Sequence, residues 1–286
     1  MALRLIFLAM LAILLGGCSG SVGVSDTPEA MVLEEGFKKA SEYFREGDTR
    51  KGRMEVDRLV VQFSENWRVA SAAAAFLAAN DQLDKAVGIA ARTVKNSAHY
   101  NQPRPMNRDD LVKLAIDAGM LAYSNGQKDL SAQMMEIALE LEPDNAIAAN
   151  GVAWDLAVRG KELERAMQLV DIALKKEPRS AAYIDTKGWI YYQMGDYQQA
   201  RKWLESAVRR DPNHPELRYN LARAHWASEY HQGAYVEARK ALILNPHYAE
   251  ARELMREIRK TYSPHRGPSK KADILTWLDH AETPVD

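Results

Sequence analysis

The chain is predicted to be all-α, a stack of about six helix pairs closed by a further C-terminal helix. Three observations predict it. Pro178, Pro212 and Pro246 fall 34 residues apart, as do Ala166, Ala200 and Ala234, and Ala173, Ala207 and Ala241. Within one period a glycine and a proline punctuate two helix-length segments, as Gly195 and Pro212 do in residues 181–214. After the last period, residues 249–262 place Ala251, Leu254, Met255 and Ile258 at helical spacing, the pattern of an amphipathic helix. A short helical unit cannot bury its apolar face alone, so a fixed period implies units stacked on their neighbours.

Composition sets the frame. The 286 residues are 47% hydrophobic and 27% charged, enough for a sizeable core. A formal net charge of -1 gives no argument for a nucleic-acid partner. The single cysteine, Cys18, cannot form an internal disulfide or build a zinc cluster.

The N-terminus reads as a processing signal. One basic residue, Arg4, precedes an apolar run over residues 5–15, and a spanning helix would need about twenty. A basic start and a short apolar run mark a secretory signal peptide. The run ends in Leu15-Gly16-Gly17-Cys18, which resembles the lipobox of bacterial lipoproteins. The resemblance implies that residues 1–18 are a signal peptide whose lipobox ends at Cys18, cut before Cys18, with acylation of the Cys18 thiol and a membrane-anchored protein facing the periplasm. Ser19 in place of an aspartate favours the outer membrane over the inner one, by resemblance to enterobacterial sorting. The alternative is a secreted protein with a chance cysteine. Residues 19–32, rich in Ser, Gly and Val, read as a flexible tether.

Residues 33–111 read as two degenerate units. The first keeps Ala40, Tyr43, Gly47 and Val56, with Gly52 where an alanine belongs; the second keeps Ala74, Leu77, Asp81, Ala86 and Ala90. Between them and the clear repeats, residues 95–109 include Pro103-Arg104-Pro105 and read as an inserted loop. It is either functional or a bulge from the stack.

Residues 112–248 hold four clear units. The first keeps Gly119, Gly126, Ala138 and Pro143. The second, residues 146–180, carries one extra residue, expected in the turn near Gly160-Lys161-Glu162. The third, residues 181–214, is the best, with Gly188, Trp189, Tyr192, Gly195, Ala200, Leu204, Ala207 and Pro212. Gly188 and Ala200 are small because two helices cross there. Gly195 ends a helix at positive φ, and Pro212 stops the next one. The fourth, residues 215–248, has Glu229 where the glycine belongs and Gly233 later, so its turn is expected to be irregular. Residues 249–262 read as the capping helix, and 263–286 as a tail with a short helix carrying Ile274, Leu275, Trp277 and Leu278.

This pattern resembles the tetratricopeptide repeat family. The resemblance implies a right-handed α-solenoid of about six helix pairs whose first helices line a concave face. Carried onto this sequence, the lining residues include Asn150, Trp154, Asp185, Trp189, Tyr192, Tyr219, Arg223 and Trp226. Tryptophan, tyrosine and arginine are the residues enriched at binding hot spots, so the groove of the C-terminal half is the candidate site for a protein or peptide. Two alternatives stay open: the tail fills the groove, or the aromatics pack between units. The lysine–asparagine–arginine set of chaperone-binding relatives is not assembled, since Asp185 stands where a cation would be wanted.

No H-E-x-x-H, Gly-rich phosphate loop or G-x-S-x-G occurs. The adjacent pairs Glu34-Glu35 and Asp109-Asp110 are expected at helix starts, where the dipole favours them. The sequence therefore points away from an enzyme and implies no cofactor or metal. The expected function is a membrane-anchored adaptor. Similar lipoproteins serve pilus or secretion-pore assembly, cell-wall hydrolase recruitment or polysaccharide export, and the sequence does not choose among these. A self-associating scaffold is the alternative.

Overall fold

The computed structural model describes residues 28–63, 66–98 and 108–262. Residues 1–18 with Cys18, the tether up to residue 27, Pro103-Arg104-Pro105 and the tail 263–286 lie outside the described residues. The described residues form thirteen α-helices and no strand. In order they are α1 (Pro28–Arg45), α2 (Thr49–Gln62), α3 (Trp67–Ala78), α4 (Leu83–Ala98), α5 (Arg108–Ser124), α6 (Lys128–Leu141), α7 (Ala146–Arg159), α8 (Leu163–Lys176), α9 (Ala181–Gln193), α10 (Tyr197–Arg210), α11 (Pro215–Ala227), α12 (His231–Leu244) and α13 (Ala249–Thr261). They fall into two compact units, one ending at Ala148 and the other beginning at Ala149.

Three boundaries differ from the sequence reading. Residues 28–32, read as tether, begin α1, because Pro28 is preorganised for a first helical position and Glu29 suits the first turn. Glu34 and Glu35 consequently lie inside α1, exposed, rather than at its start. The insertion is shorter than 95–109, since α4 runs to Ala98 and α5 begins at Arg108. Asp109 and Asp110 do sit in the first turn of α5.

In the first unit α1 packs on α2, α3 on α4 and α5 on α6, and the pairs meet through α2–α3 and α4–α5. The degenerate segments thus fold as pairs like the rest. Leu33, Phe37 and Ala40 of α1 bury with Val56 and Leu59 of α2. Phe37 and Phe44 reach Phe76 of α3, with ring centroids 5.2 and 5.9 Å away. Gly52 is small because a Cβ there would meet the Phe44 ring at 2.7 Å.

In the second unit α9 packs on α10 and α11 on α12, with α8 against α9, α10 against α11 and α12 against α13. A Cβ on Gly188 would lie 2.7 Å from Cγ of Leu204 and 3.1 Å from its backbone nitrogen, so the close helix crossing is real. Ile184, Ala200, Leu204, Ala207, Leu217 and Leu221 form one core cluster across α9, α10 and α11. Ala222, Ala234, Ala238, Ala241 and Leu242 form the next with Ala251, Leu254, Met255 and Ile258. Those last four are the apolar stripe of α13, which covers the end of the stack.

The six turns within pairs share one backbone device. In α9–α10 the Gly195 N–H donates to the Tyr192 carbonyl, and the Asp196 N–H donates to the Tyr191 carbonyl. That is the Schellman motif, which requires positive φ at its central residue. The same two bonds recur at Gly47, Asp81, Gly126, Gly160 and Glu229, each with φ between 58° and 83°. The turn at Glu229, expected to be irregular, is therefore regular, with Glu229 itself at φ 59°. Gly233 has another purpose: a Cβ there would strike the Tyr230 ring at 2.4 Å and Cδ2 of His225 at 3.0 Å. The extra residue of residues 146–180 is Lys161. It falls between Gly160 and Glu162, and the left-handed conformation of Glu162 restores the helix direction.

Candidate functional site

The period of the repeat decides which side chains share a face. Residues four apart on a helix stack on one side, so Asn150 and Trp154 align on α7, Asp185 and Trp189 on α9, and Tyr219 and Arg223 on α11. All belong to the second compact unit.

An unbroken aromatic series runs through this set. The Trp154 and Trp189 rings lie 6.3 Å apart at a tilt of 40°. Trp189 stacks on Tyr192 at 4.6 Å, with planes 8° apart. Arg223 continues the series: its guanidinium carbon is 5.9 Å from the Trp189 ring centre, 5.5 Å from that of Tyr192 and 5.9 Å from that of Tyr219. Its Nη1 donates to the Tyr219 hydroxyl at 3.0 Å, and its Nη2 donates to the Tyr192 hydroxyl at 2.9 Å. Tyr219 in turn meets Tyr248 at 5.1 Å. Arginine suits such a place because its planar group stacks on rings while its edges donate in fixed directions. Burial works against the charge of Arg223, but the two hydroxyls more than offset it and its pKa rises.

Sequence reasoning placed Trp154, Trp189, Tyr192, Tyr219 and Arg223 together, and the structure brings them together. Two other expectations change, those for Trp226 and Asp185. Trp226 does not join the series; it packs on His231 at 4.9 Å and on the core between α11, α12 and α13. Asp185 is buried, not groove-lining, at 6% exposure. Its Oδ2 accepts from Asn220 Nδ2 at 2.9 Å, while its Oδ1 is buried without a partner. Asn150 is half-buried, and its Oδ1 also lacks a partner. Sequence reasoning missed Tyr248, which precedes α13 and so stands outside the first helices that the repeat pattern singles out, and Tyr197, 5.5 Å from Tyr192.

Part of the array also packs. Tyr192 leans on the cluster of α9–α11, and Tyr219 and Tyr248 lean on the cluster that α13 closes. What remains half-exposed is a face of rings around one cation, suited to holding an apolar side chain beside an anionic one. Among the described residues no group of three or more His, Cys, Asp or Glu is placed to hold a metal ion.

Comparison with known proteins adds the following. A family model described as TPR repeat matches residues 188–228, and one described as Tetratricopeptide repeat matches residues 116–182. A TPR repeat-containing protein of Pseudomonas aeruginosa is 31% identical over 103 residues, covering 36% of this chain and 18% of the relative. The chain therefore spans under a fifth of that curated relative. Among solved structures, the APC/C heterotetramer Cut9–Hcn1 superposes with a TM-score of 0.56 at 15% identity, over 90% of this chain and 45% of that one. A thermophilic TPR protein of Thermus thermophilus superposes with a TM-score of 0.50 at 17% identity, over 67% of this chain and 97% of that one.

Proposed function

We propose, since the chain is a tetratricopeptide-repeat protein over residues 116–182 and 188–228, that it is a membrane-anchored adaptor which holds a partner protein in the groove of its C-terminal half. The aromatic series from Trp154 through Trp189, Tyr192 and Arg223 to Tyr219 carries the reading. Half-exposed tryptophan, tyrosine and arginine on one face are what a binding hot spot is made of. The anchor is assigned to Cys18 on its lipobox, Leu15-Gly16-Gly17-Cys18. Among the described residues no helix is long and apolar enough to cross a membrane. Two or more acyl chains on one residue hold a protein firmly at a bilayer. Confinement there raises the effective concentration of anything else the membrane holds. In this reading the adaptor faces the periplasm and serves envelope assembly.

One experiment with two variants tests both halves. Cells carrying the wild type, Cys18→Ser or Trp154→Ala/Trp189→Ala are fractionated, and each protein is purified with whatever it holds. The expected result is that Cys18→Ser leaves the membrane fraction. The tryptophan variant is expected to stay in the membrane, folded, and to lose a partner that the wild type keeps. Persistence of Cys18→Ser in salt-washed membranes would remove the anchor. An unchanged set of partners in the tryptophan variant would remove the groove.

A further inference from the structure

We propose that Arg223 is a carboxylate anchor: the partner's groove-binding segment carries an Asp or Glu side chain that pairs with Arg223, beside an apolar side chain that lies on Trp189 and Trp154. This deepens the adaptor reading and rests on it. The observation behind it is a cation without an anion. Arg223 is half-buried, and its partners are two phenol hydroxyls and three rings. Among the described residues no carboxylate forms an ion pair with it. Two other partly buried cations of the same unit have acids: Arg218 pairs with Glu237, and Lys187 with Asp171. A cation partly withdrawn from water gains most from an opposite charge brought to it with good geometry.

The geometry also fits a carboxylate. Each terminal nitrogen of Arg223 gives one N–H to a tyrosine, so one N–H on each, and that of Nε, remain for a ligand. A carboxylate can take two of them side by side, the arrangement in which arginine binds it best. The tyrosines and Trp189 hold the guanidinium plane in place before any ligand arrives, so little side-chain freedom is lost on binding. The rings that fix the plane also leave apolar surface next to the charge, which calls for an acidic residue near an apolar one rather than a run of acids.

The test uses the full-length protein in detergent and synthetic peptides blocked at both ends. Each peptide has a tryptophan–leucine pair in a glycine–serine background, with one aspartate placed at successive distances from the pair. A matched set carries asparagine instead. Affinity is read by fluorescence anisotropy. In the best register the aspartate peptide is expected to bind about ten-fold or more tightly than its asparagine twin. That preference is expected to shrink as salt is raised. Arg223→Gln is expected to bind both twins alike, and Arg223→Lys to keep part of the preference. A wild type that binds both twins equally in every register would overturn the anchor while leaving the groove standing. So would a preference that survives in Arg223→Gln. If no peptide binds at all, the anchor falls, and the partner comparison with Trp154→Ala/Trp189→Ala decides separately whether the groove falls with it. Because Arg223→Gln also frees two tyrosines, the salt dependence and the twin comparison on the wild type test the anchor without any substitution.

Discussion

Burial pushes the Asp185 carboxyl up to about 7; the hydrogen bond from Asn220 pulls the other way, and the charge of Glu216 adds to the rise. The sign of the consequence follows. The folded state binds the Asp185 proton more tightly than the unfolded chain, so the stabilisation is complete below the unfolded pKa near 4 and is lost as pH rises towards 7. Above that, the fold carries a buried charge with Oδ1 unpartnered. Asp185→Asn keeps an acceptor for Asn220 without the charge. It is expected to raise stability at pH 8 by a few kcal/mol, roughly the free energy of a shift of this size. The difference between variant and wild type should vanish by pH 4, as read from melting curves across that range. The residue also shows what the sequence could not reveal. The repeat period assigned Asp185 and Trp189 to one helix face, and that much held. Whether a side chain on that face meets solvent or its neighbour depends on how closely α11 approaches, and Asn220 of α11 caps Asp185. Trp226 misled for the same reason, because the partners that cover it come from α12 and α13.

Helix pairs were legible wherever a turn carried glycine, as at Gly47, Gly126, Gly160 and Gly195, because only the backbone's need for positive φ makes glycine the favoured residue there. Asp81 and Glu229 occupy the same conformation without glycine. Asp81 is still recognisable among the kept positions of its unit, while Glu229 suggests an irregular turn that the structure shows to be regular, since the motif is a property of hydrogen bonds and not of a side chain. A left-handed conformation costs an ordinary residue about 1–2 kcal/mol, of which a glycine returns part through its own greater entropy loss. Glu229→Gly is therefore expected to stabilise the second unit by about 0.5–1 kcal/mol, seen as a higher urea midpoint with unchanged slope. A loss of stability would mean that the Glu229 side chain contributes more than its backbone strain costs. The extra residue at Lys161 shows the same element from another side. Both helices of that pair keep the register of their neighbours because Glu162 takes a second left-handed conformation and the insertion stays in the turn.

For the chain as a whole, the stacking rule makes stability a sum of contacts between neighbouring elements, and the end of the stack is where that sum can be tested. In the second compact unit α13 supplies Ala251, Leu254, Met255 and Ile258 to a cluster whose other side is α11 and α12. Leu254 is 4% exposed, so Leu254→Ala removes a buried side chain at a cost of about 2–5 kcal/mol. The distribution of that loss separates two pictures. If coupling passes only between neighbours, amide exchange should quicken in α13 and α12 and fade towards α9 and α10, whose own cluster of Ile184, Ala200, Leu204 and Ala207 is untouched. If instead the unit opens all at once, the amides of α9 to α13 should lose protection equally. The graded outcome is expected, because Leu221 and Ala224 of α11 belong to the cluster shared with α9 and α10, while Ala222 of the same helix belongs to the cluster that α13 closes. Helix α11 is thus the element through which a loosened cap reaches Arg223 and Tyr219. A graded loss would therefore weaken the groove at its α11 side while Trp154 and Trp189 kept their places.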